Sequence, residues 1–266
     1  MRSLGKSVVI AAVFLCAPLF AAEEPLSVRE DRPRIMLTPS RVEALKEKLA
    51  SEPIPGRDAG KQALTYVLTG DKEAGAEAVK YMLNFDVSDE VLEKKTASDP
   101  YRWSAFVPVI YDWCYDLLSD EEREAFEARY GRIAAAMNAK SWGGPQMPGN
   151  NYYAGYMRNA GIFGLAAFGR TPLAQSALDD ALITRWRDST LPFYASAAKG
   201  GIIGEGSQYD RYNAGYVLWL AEAVKSATGR DLYRETNWFR EFVFQTIYST
   251  TPAPARIASL PEVDSY

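Results

Sequence analysis

The segment Gly200–Tyr216 sets a carboxylate (Glu205), a guanidinium (Arg211) and three phenols (Tyr209, Tyr212, Tyr216) behind a turn that holds Gly200, Gly201, Gly204 and Gly206. Glycines at that density let a ligand approach the backbone closely. A second segment, Pro148–Tyr156, has the same character, with Asn150, Asn151, Tyr152 and Tyr153 opening an otherwise apolar helical run. Amides at a helix N-terminus, where the dipole is positive, suit a carboxylate. Trp142, in the glycine-rich loop just before, is placed to stack on a sugar face. Together the two polar, aromatic helix mouths predict one sugar-binding cleft. The competing reading makes Asn150 or Asn151 an ordinary N-cap and the tyrosines a core stripe at spacings of 3 and 4.

Histidine is absent from the whole chain. Within these residues that excludes a Ser-His-Asp triad, a Cys-His pair and a His-ligated zinc. Acid–base chemistry must therefore use Tyr, Glu, Asp, Lys or Arg. Tyrosine serves as a base only when a neighbour such as Arg211 stabilises the phenolate, which makes Tyr209 or Tyr212 the candidate. Alternatively, Glu205 acts as the acid of a glycoside hydrolase with Asp210 or Asp112 as its partner. Asp112 sits in Tyr111-Asp-Trp-Cys-Tyr-Asp116, a cluster that reads first as a packed helix face. No metal-binding loop is present, and neither metal nor cofactor is expected.

The elements that position these residues are helical throughout. Thr38-Pro39 opens a helix with proline at its first position, and further stripes run over about Ala59–Leu68, Lys72–Leu83 and Ser104–Leu118. Ser119-Asp-Glu-Glu122 is a capping box starting the next helix, which carries Phe126, Tyr130, Ile133 and Met137. Helices over Tyr152–Phe168, Pro172–Leu191, Gly206–Thr228 and Asp231–Tyr248 complete the set. Gly70, Gly169 and Gly229 stand where left-handed caps end helices, so short joints make antiparallel αα-hairpins. With no alternating strand pattern and no fixed repeat, an all-α, curved αα-barrel follows.

Residues 1–22 combine Arg2 and Lys6, an apolar run from Val8 to Phe20, and Ala21-Ala22, the pattern of a cleaved export signal. That run is too short to span a bilayer, so no membrane association is expected after cleavage. Loss of Arg2 and Lys6 leaves 28 basic residues against 34 acidic ones, which argues against nucleic acid as a partner. Cys114 is then the single remaining cysteine, so stability rests on the core rather than on disulfides. Residues 23–36 read as an N-terminal arm and residues 37–266 as one helical domain.

Arg32-Pro-Arg-Ile-Met-Leu-Thr-Pro39, Ile110-Tyr-Asp-Trp-Cys-Tyr-Asp-Leu-Leu-Ser119, Gly149-Asn-Asn-Tyr-Tyr153 and Gly204-Glu-Gly-Ser-Gln-Tyr209 resemble the N-terminal α/α-toroid of the heparinase II/III-like and alginate-lyase-type polysaccharide lyases. The resemblance covers most of the chain after the signal. It implies an incomplete α/α toroid of antiparallel αα-hairpins that binds an acidic polysaccharide or oligosaccharide and cleaves it beside a uronate by β-elimination. By position, Asn150 or Asn151 matches the family asparagine, and Tyr209 or Tyr212 the family tyrosine. Tyr152, Tyr153, Glu205, Arg211 and Trp142 would then bind substrate. Where the family commonly has histidine after the asparagine, this chain has a second Asn or Tyr152. The β-sandwich layers that follow the family's toroid have no counterpart before Tyr266, so a non-catalytic glycan-binding remnant or a fragment is the alternative expectation.

Overall fold

The computed structural model describes residues 26–49, 58–94 and 98–249, and among them every regular element is a helix. Residues 1–22, expected to be an export signal, and the segment after residue 249 lie outside the described residues. In chain order the α-helices are α1 (Pro39–Leu49), α2 (Ala59–Thr69), α3 (Lys72–Asn84), α4 (Asp89–Glu93), α5 (Asp99–Arg102), α6 (Phe106–Trp113), α7 (Asp120–Asn138), α8 (Asn151–Ala166), α9 (Pro172–Asp179), α10 (Leu191–Ala195), α11 (Ser207–Thr228) and α12 (Trp238–Ser249).

Local chemistry sets most of these bounds. The Ser119 hydroxyl accepts from Glu122 N at 3.2 Å while Glu122 Oε2 accepts from Ser119 N at 2.9 Å, so the capping box that opens α7 is complete. Gly70, Gly169 and Gly229 all have positive φ, as their joints require. Short α4 and α5 carry too few turns to show a period, and the sequence reading passed over both.

Three helices differ from expectation. The Ser104–Leu118 run begins at Phe106, because Pro108 has no N–H and is tolerated only in a first turn. It then tightens to a 3₁₀ turn over Tyr115–Leu117. The Pro172–Leu191 run is wound as a π-helix over Asp180–Thr190. That winding brings residues five apart together, and Arg185 Nε meets Asp180 Oδ2 at 2.6 Å. The Asp231–Tyr248 run divides into a 3₁₀ turn (Leu232–Arg234) and α12, where Thr236 Oγ1 accepts from Trp238 N at 3.1 Å and restarts the helix.

Helix α8 is the centre of the molecule. From Tyr153 to Ala166 every residue is buried, so it has no solvated face. Its glycines make this possible. A Cβ on Gly161 would stand 2.4 Å from Leu220 Cδ1 of α11, and one on Gly164 would stand 2.6 Å from Leu178 Cβ of α9. Bare backbone at these points lets α9 and α11 close onto α8 from different sides. The outcome for function is that the first residues of α8 and α11 emerge at the same end of the core.

The N-terminal arm is held by a buried carboxylate together with hydrogen bonds such as Met36 N to Ser226 Oγ and Trp113 Nε1 to Ile35 O. Asp112 Oδ1 meets Arg32 Nη1 at 2.5 Å, and Oδ2 accepts from the backbone of Arg34 and Ile35 at 2.8 and 2.9 Å. With every acceptor engaged and no exposed surface, Asp112 anchors the arm, so it is not the partner carboxylate that a hydrolase would need. Cys114 is buried beside it, and burial pushes its thiol up to about 12. No helix among the described residues is long and apolar enough to cross a membrane.

Candidate functional site

Asn150 is the N-cap of α8, its Oδ1 accepting from Tyr152 N at 2.9 Å. Its Nδ2 donates to Glu205 Oε1 at 3.2 Å. Asn151 donates its backbone N–H to Glu205 Oε2 at 2.9 Å and its amide to the same carboxylate at 3.1 and 3.2 Å. The Asn151 side-chain Oδ1 accepts from Arg102 Nη1. Glu205, far along the chain, is thus clamped on the N-terminus of α8, where the dipole favours a negative charge. The amide position expected to meet a substrate carboxylate is held by the chain's own carboxylate.

The loop carrying Glu205 is shaped by glycine. Gly201 (φ 89°) presses on the start of α12 so closely that a Cβ would stand 2.5 Å from Phe242 N, and Gly200 N donates to Glu241 Oε2 at 2.8 Å. From that anchor the loop runs through Gly204 and Gly206, both at positive φ, to the first turn of α11. Asp210, in that turn, is buried with Oδ1 unpartnered, and burial raises its carboxyl pKa against the opposing pull of the Glu205 and Ile203 backbone. It lies beneath the Glu205 loop.

The aromatic side chains form a continuous wall. Arg102 lies 4.1 Å from the Tyr152 ring centroid and 4.7 Å from that of Trp103, and it pairs with Asp99 at 2.7 Å. Trp103 meets Tyr212 and Tyr216 edge-on at 5.8 and 6.0 Å. Tyr209 meets Tyr212 at 6.1 Å and lies near Tyr152 across the gap between helices. The Tyr152 hydroxyl donates to Asp99 at 2.9 Å, and burial followed by that acid pushes its pKa up. Arg211 is exposed, 5.0 Å from the Tyr212 ring, with Nη2 donating to the Tyr212 oxygen at 3.3 Å.

The structure therefore brings together Asn150, Asn151, Tyr152, Glu205, Tyr209, Arg211 and Tyr212, from two segments of the sequence. Tyr153 does not join them. It points from a different side of α8 into the core, and its hydroxyl donates to Arg185 O at 2.5 Å beside Thr190. Consecutive helical residues face about 100° apart, so Tyr152 and Tyr153 cannot share one wall. Trp142 is exposed on its loop, and no ring among the described residues packs on it. Gly143, beside it, abuts the Tyr152 Cβ, which places the loop along the flank of the α8 mouth.

Further residues belong to the groove that sequence reasoning did not select. Trp103, Phe106, Arg158 and Trp219 join Arg211, Tyr212 and Tyr216 in lining a pocket of about 280 Å³ next to the α8 mouth. Trp103 and Arg102 sit on α5 and its cap, too short to be seen as an element. Arg158 carried one visible signal, a single charge inside the apolar run of α8. Among the described residues no group of three or more carboxylates and cysteines is arranged to hold a metal. Compared with protein-family models and with curated proteins, the chain matches none.

Proposed function

We propose that this chain is the toroid domain of a secreted polysaccharide lyase, built as an incomplete ring of αα-hairpins, and that its polar-aromatic cleft binds a uronate-containing glycan for β-elimination. The observation that supports this reading best is the meeting of two distant glycine-rich helix mouths, with Glu205 bonded to Asn150 and Asn151 beside Tyr152, Tyr209 and Tyr212. Flat rings at the edge of a cleft suit the apolar faces of sugars, and the nearby Arg102 and Arg211 suit their carboxylates.

In such a reaction a base removes the proton at the carbon bearing the uronate carboxylate. The electron pair forms a C=C bond as the glycosidic oxygen departs, and that oxygen takes up a proton. The developing enolate requires donors at the carboxylate. Tyr209 and Tyr212 are the candidate base and acid. Arg211 is already aimed at the Tyr212 oxygen, where charge develops when that phenol gives up its proton. The residues Asn151 and Glu205 shape the floor below them. Export by residues 1–22 and an acidic glycan as partner belong to the same reading.

A second reading has its own support. The Asn151 amide is fully engaged by Arg102 and Glu205, so it has no free group with which to polarise a substrate. A domain in that state binds glycan without cleaving it. Incubation with polymers of different uronates distinguishes the two, since elimination creates an ultraviolet-absorbing C=C bond and binding alone does not. Hydrolysis would instead release new reducing ends without that absorbance, and such a product would overturn the lyase reading.

A further inference from the structure

The 11 residues Asp180–Thr190 keep one continuous π winding, which is rare, has poorer hydrogen bonding than an α-helix and concentrates at functional sites. Such a run needs a reason outside itself. In an α-helix, residues five apart stand about 140° apart around the axis, so Asp180, Arg185 and Thr190 could not serve one neighbour. The π winding lines them up. Asp180 Oδ2 meets Arg185 Nε at 2.6 Å, and the Tyr153 hydroxyl of α8 donates to Arg185 O with Thr190 Oγ1 3.0 Å away.

This edge grips the loop over residues 141–149. Arg185 Nη1 donates to Gly143 O at 2.7 Å in the core, and Ser189 Oγ donates to Pro145 O at 2.6 Å. Inside the loop Gln146 Nε2 donates to Ser141 O at 2.9 Å, and Asn213 of α11 donates to Gly149 O at 3.4 Å. On the other side Gly143, with φ 74°, lies so close to α8 that a Cβ would stand 3.0 Å from Tyr152 Cβ and 3.1 Å from Tyr153 N. The loop backbone is therefore caught between the π-helix and the mouth of α8. One large side chain escapes it. Trp142, next to Gly143, is 46% exposed and among the described residues makes no hydrogen bond and no ring contact. Indole is a large apolar group that packing normally covers, so an uncovered one on a tightly held backbone is poorly explained as core.

We infer that Arg185 and Ser189 are positioning residues, which by holding the carbonyls of Gly143 and Pro145 fix Trp142 as a preformed stacking platform for one sugar ring at the flank of the α8 mouth. A platform on a loose loop would have to be ordered at each binding event, and holding it beforehand removes that cost from the affinity. The identity of the ligand rests on the acidic-glycan reading of the cleft. The fixing of the loop does not.

The test uses the full chain with 5-fluorotryptophan at its six tryptophans, followed by fluorine NMR, with Trp142→Phe assigning one line and Trp103→Phe another. In the free protein the Trp142 line should be as broad as those of the core tryptophans, and Ser189→Ala should narrow it while leaving the other five unmoved. Oligomers of alginate and of polygalacturonate are then titrated in. At least one should shift the Trp142 and Trp103 lines together. Trp142→Ala should weaken that binding about tenfold and Ser189→Ala about threefold, and in the Trp142→Ala background Ser189→Ala should cost nothing further. Arg185→Lys, which withdraws the bond to Gly143 O, should repeat the Ser189→Ala result; if it fails to fold, Ser189→Ala still decides. A Trp142 line already narrow in the wild type, one unchanged by Ser189→Ala, or an equal loss of affinity in both backgrounds would overturn the positioning role. A shift at Trp103 without one at Trp142 would overturn the platform and leave the glycan reading standing. No shift at either would remove the glycan reading, and the platform with it.

Discussion

Replacing Glu205 by alanine should destabilise the protein by about 3 kcal/mol. The carboxylate accepts from Asn151 N at 2.9 Å and from the amides of Asn150 and Asn151 at 3.1 to 3.2 Å. Hydrogen bonds to a charged group contribute about 1.5–3 kcal/mol each when buried. Here Glu205 is only half-buried, and the Asn150 amide and part of the mouth regain water in the variant, so the sum is well below the full value. The charge at the α8 N-terminus adds roughly 0.3–1 kcal/mol. Asn151, 4% exposed, is the donor that water replaces least well. At about 2–4 °C per kcal/mol for a chain of this size, the midpoint of thermal unfolding should fall by about 6–12 °C. Glu205→Gln keeps one acceptor and should lose about half as much. In a double-mutant cycle with Asn151→Ala the two changes should couple by more than about 1 kcal/mol. Additive effects, or a midpoint unchanged by Glu205→Ala, would mean that the clamp contributes nothing and that the two helix mouths meet for another reason.

The same substitution on two facing helices should act in opposite directions: Gly161→Ala overpacks against Leu220 and should cost about 1–3 kcal/mol, whereas Gly215→Ala meets nothing within 4 Å and should stabilise by about 0.5–1 kcal/mol in urea denaturation. Asp210→Asn should raise stability at neutral pH. Burial raises the folded carboxyl above its ordinary 3.8, so wild-type stability falls as pH rises through that raised value, and the advantage of the variant should vanish in acid below 3.8; a constant difference across pH would count against this. If the chain is a lyase, Tyr209→Phe or Tyr212→Phe should slow elimination roughly 100-fold to 10,000-fold with the fold intact, while Tyr130→Phe, whose hydroxyl meets only Ser104 at 2.9 Å in the core, should leave turnover per folded molecule unchanged.

The sequence by itself determined the helices and most of their ends, because those depend on neighbours along the chain. Ser119 and Glu122, Thr38-Pro39, and the glycines at 70, 169 and 229 are local signals, and each does locally what its chemistry requires. Local signals also picked out the two helix mouths, since glycine and asparagine clusters break an apolar pattern visibly. Period alone, however, could not separate Tyr152 from Tyr153, or show that the stripe of Tyr209, Tyr212 and Tyr216 is exposed at its start and buried at its end. Nor could it show that Asp112 would be enclosed by an arm about 80 residues earlier in the chain, or that Glu205 would fill the amide mouth of α8. Those outcomes depend on which helix covers which face, and that was decided by the close approach of α9 and α11 to the glycines of α8. Burial and long-range pairing belong to the packed state, so the burial of Arg158 without a carboxylate and of the Tyr216 hydroxyl without a partner was legible only there.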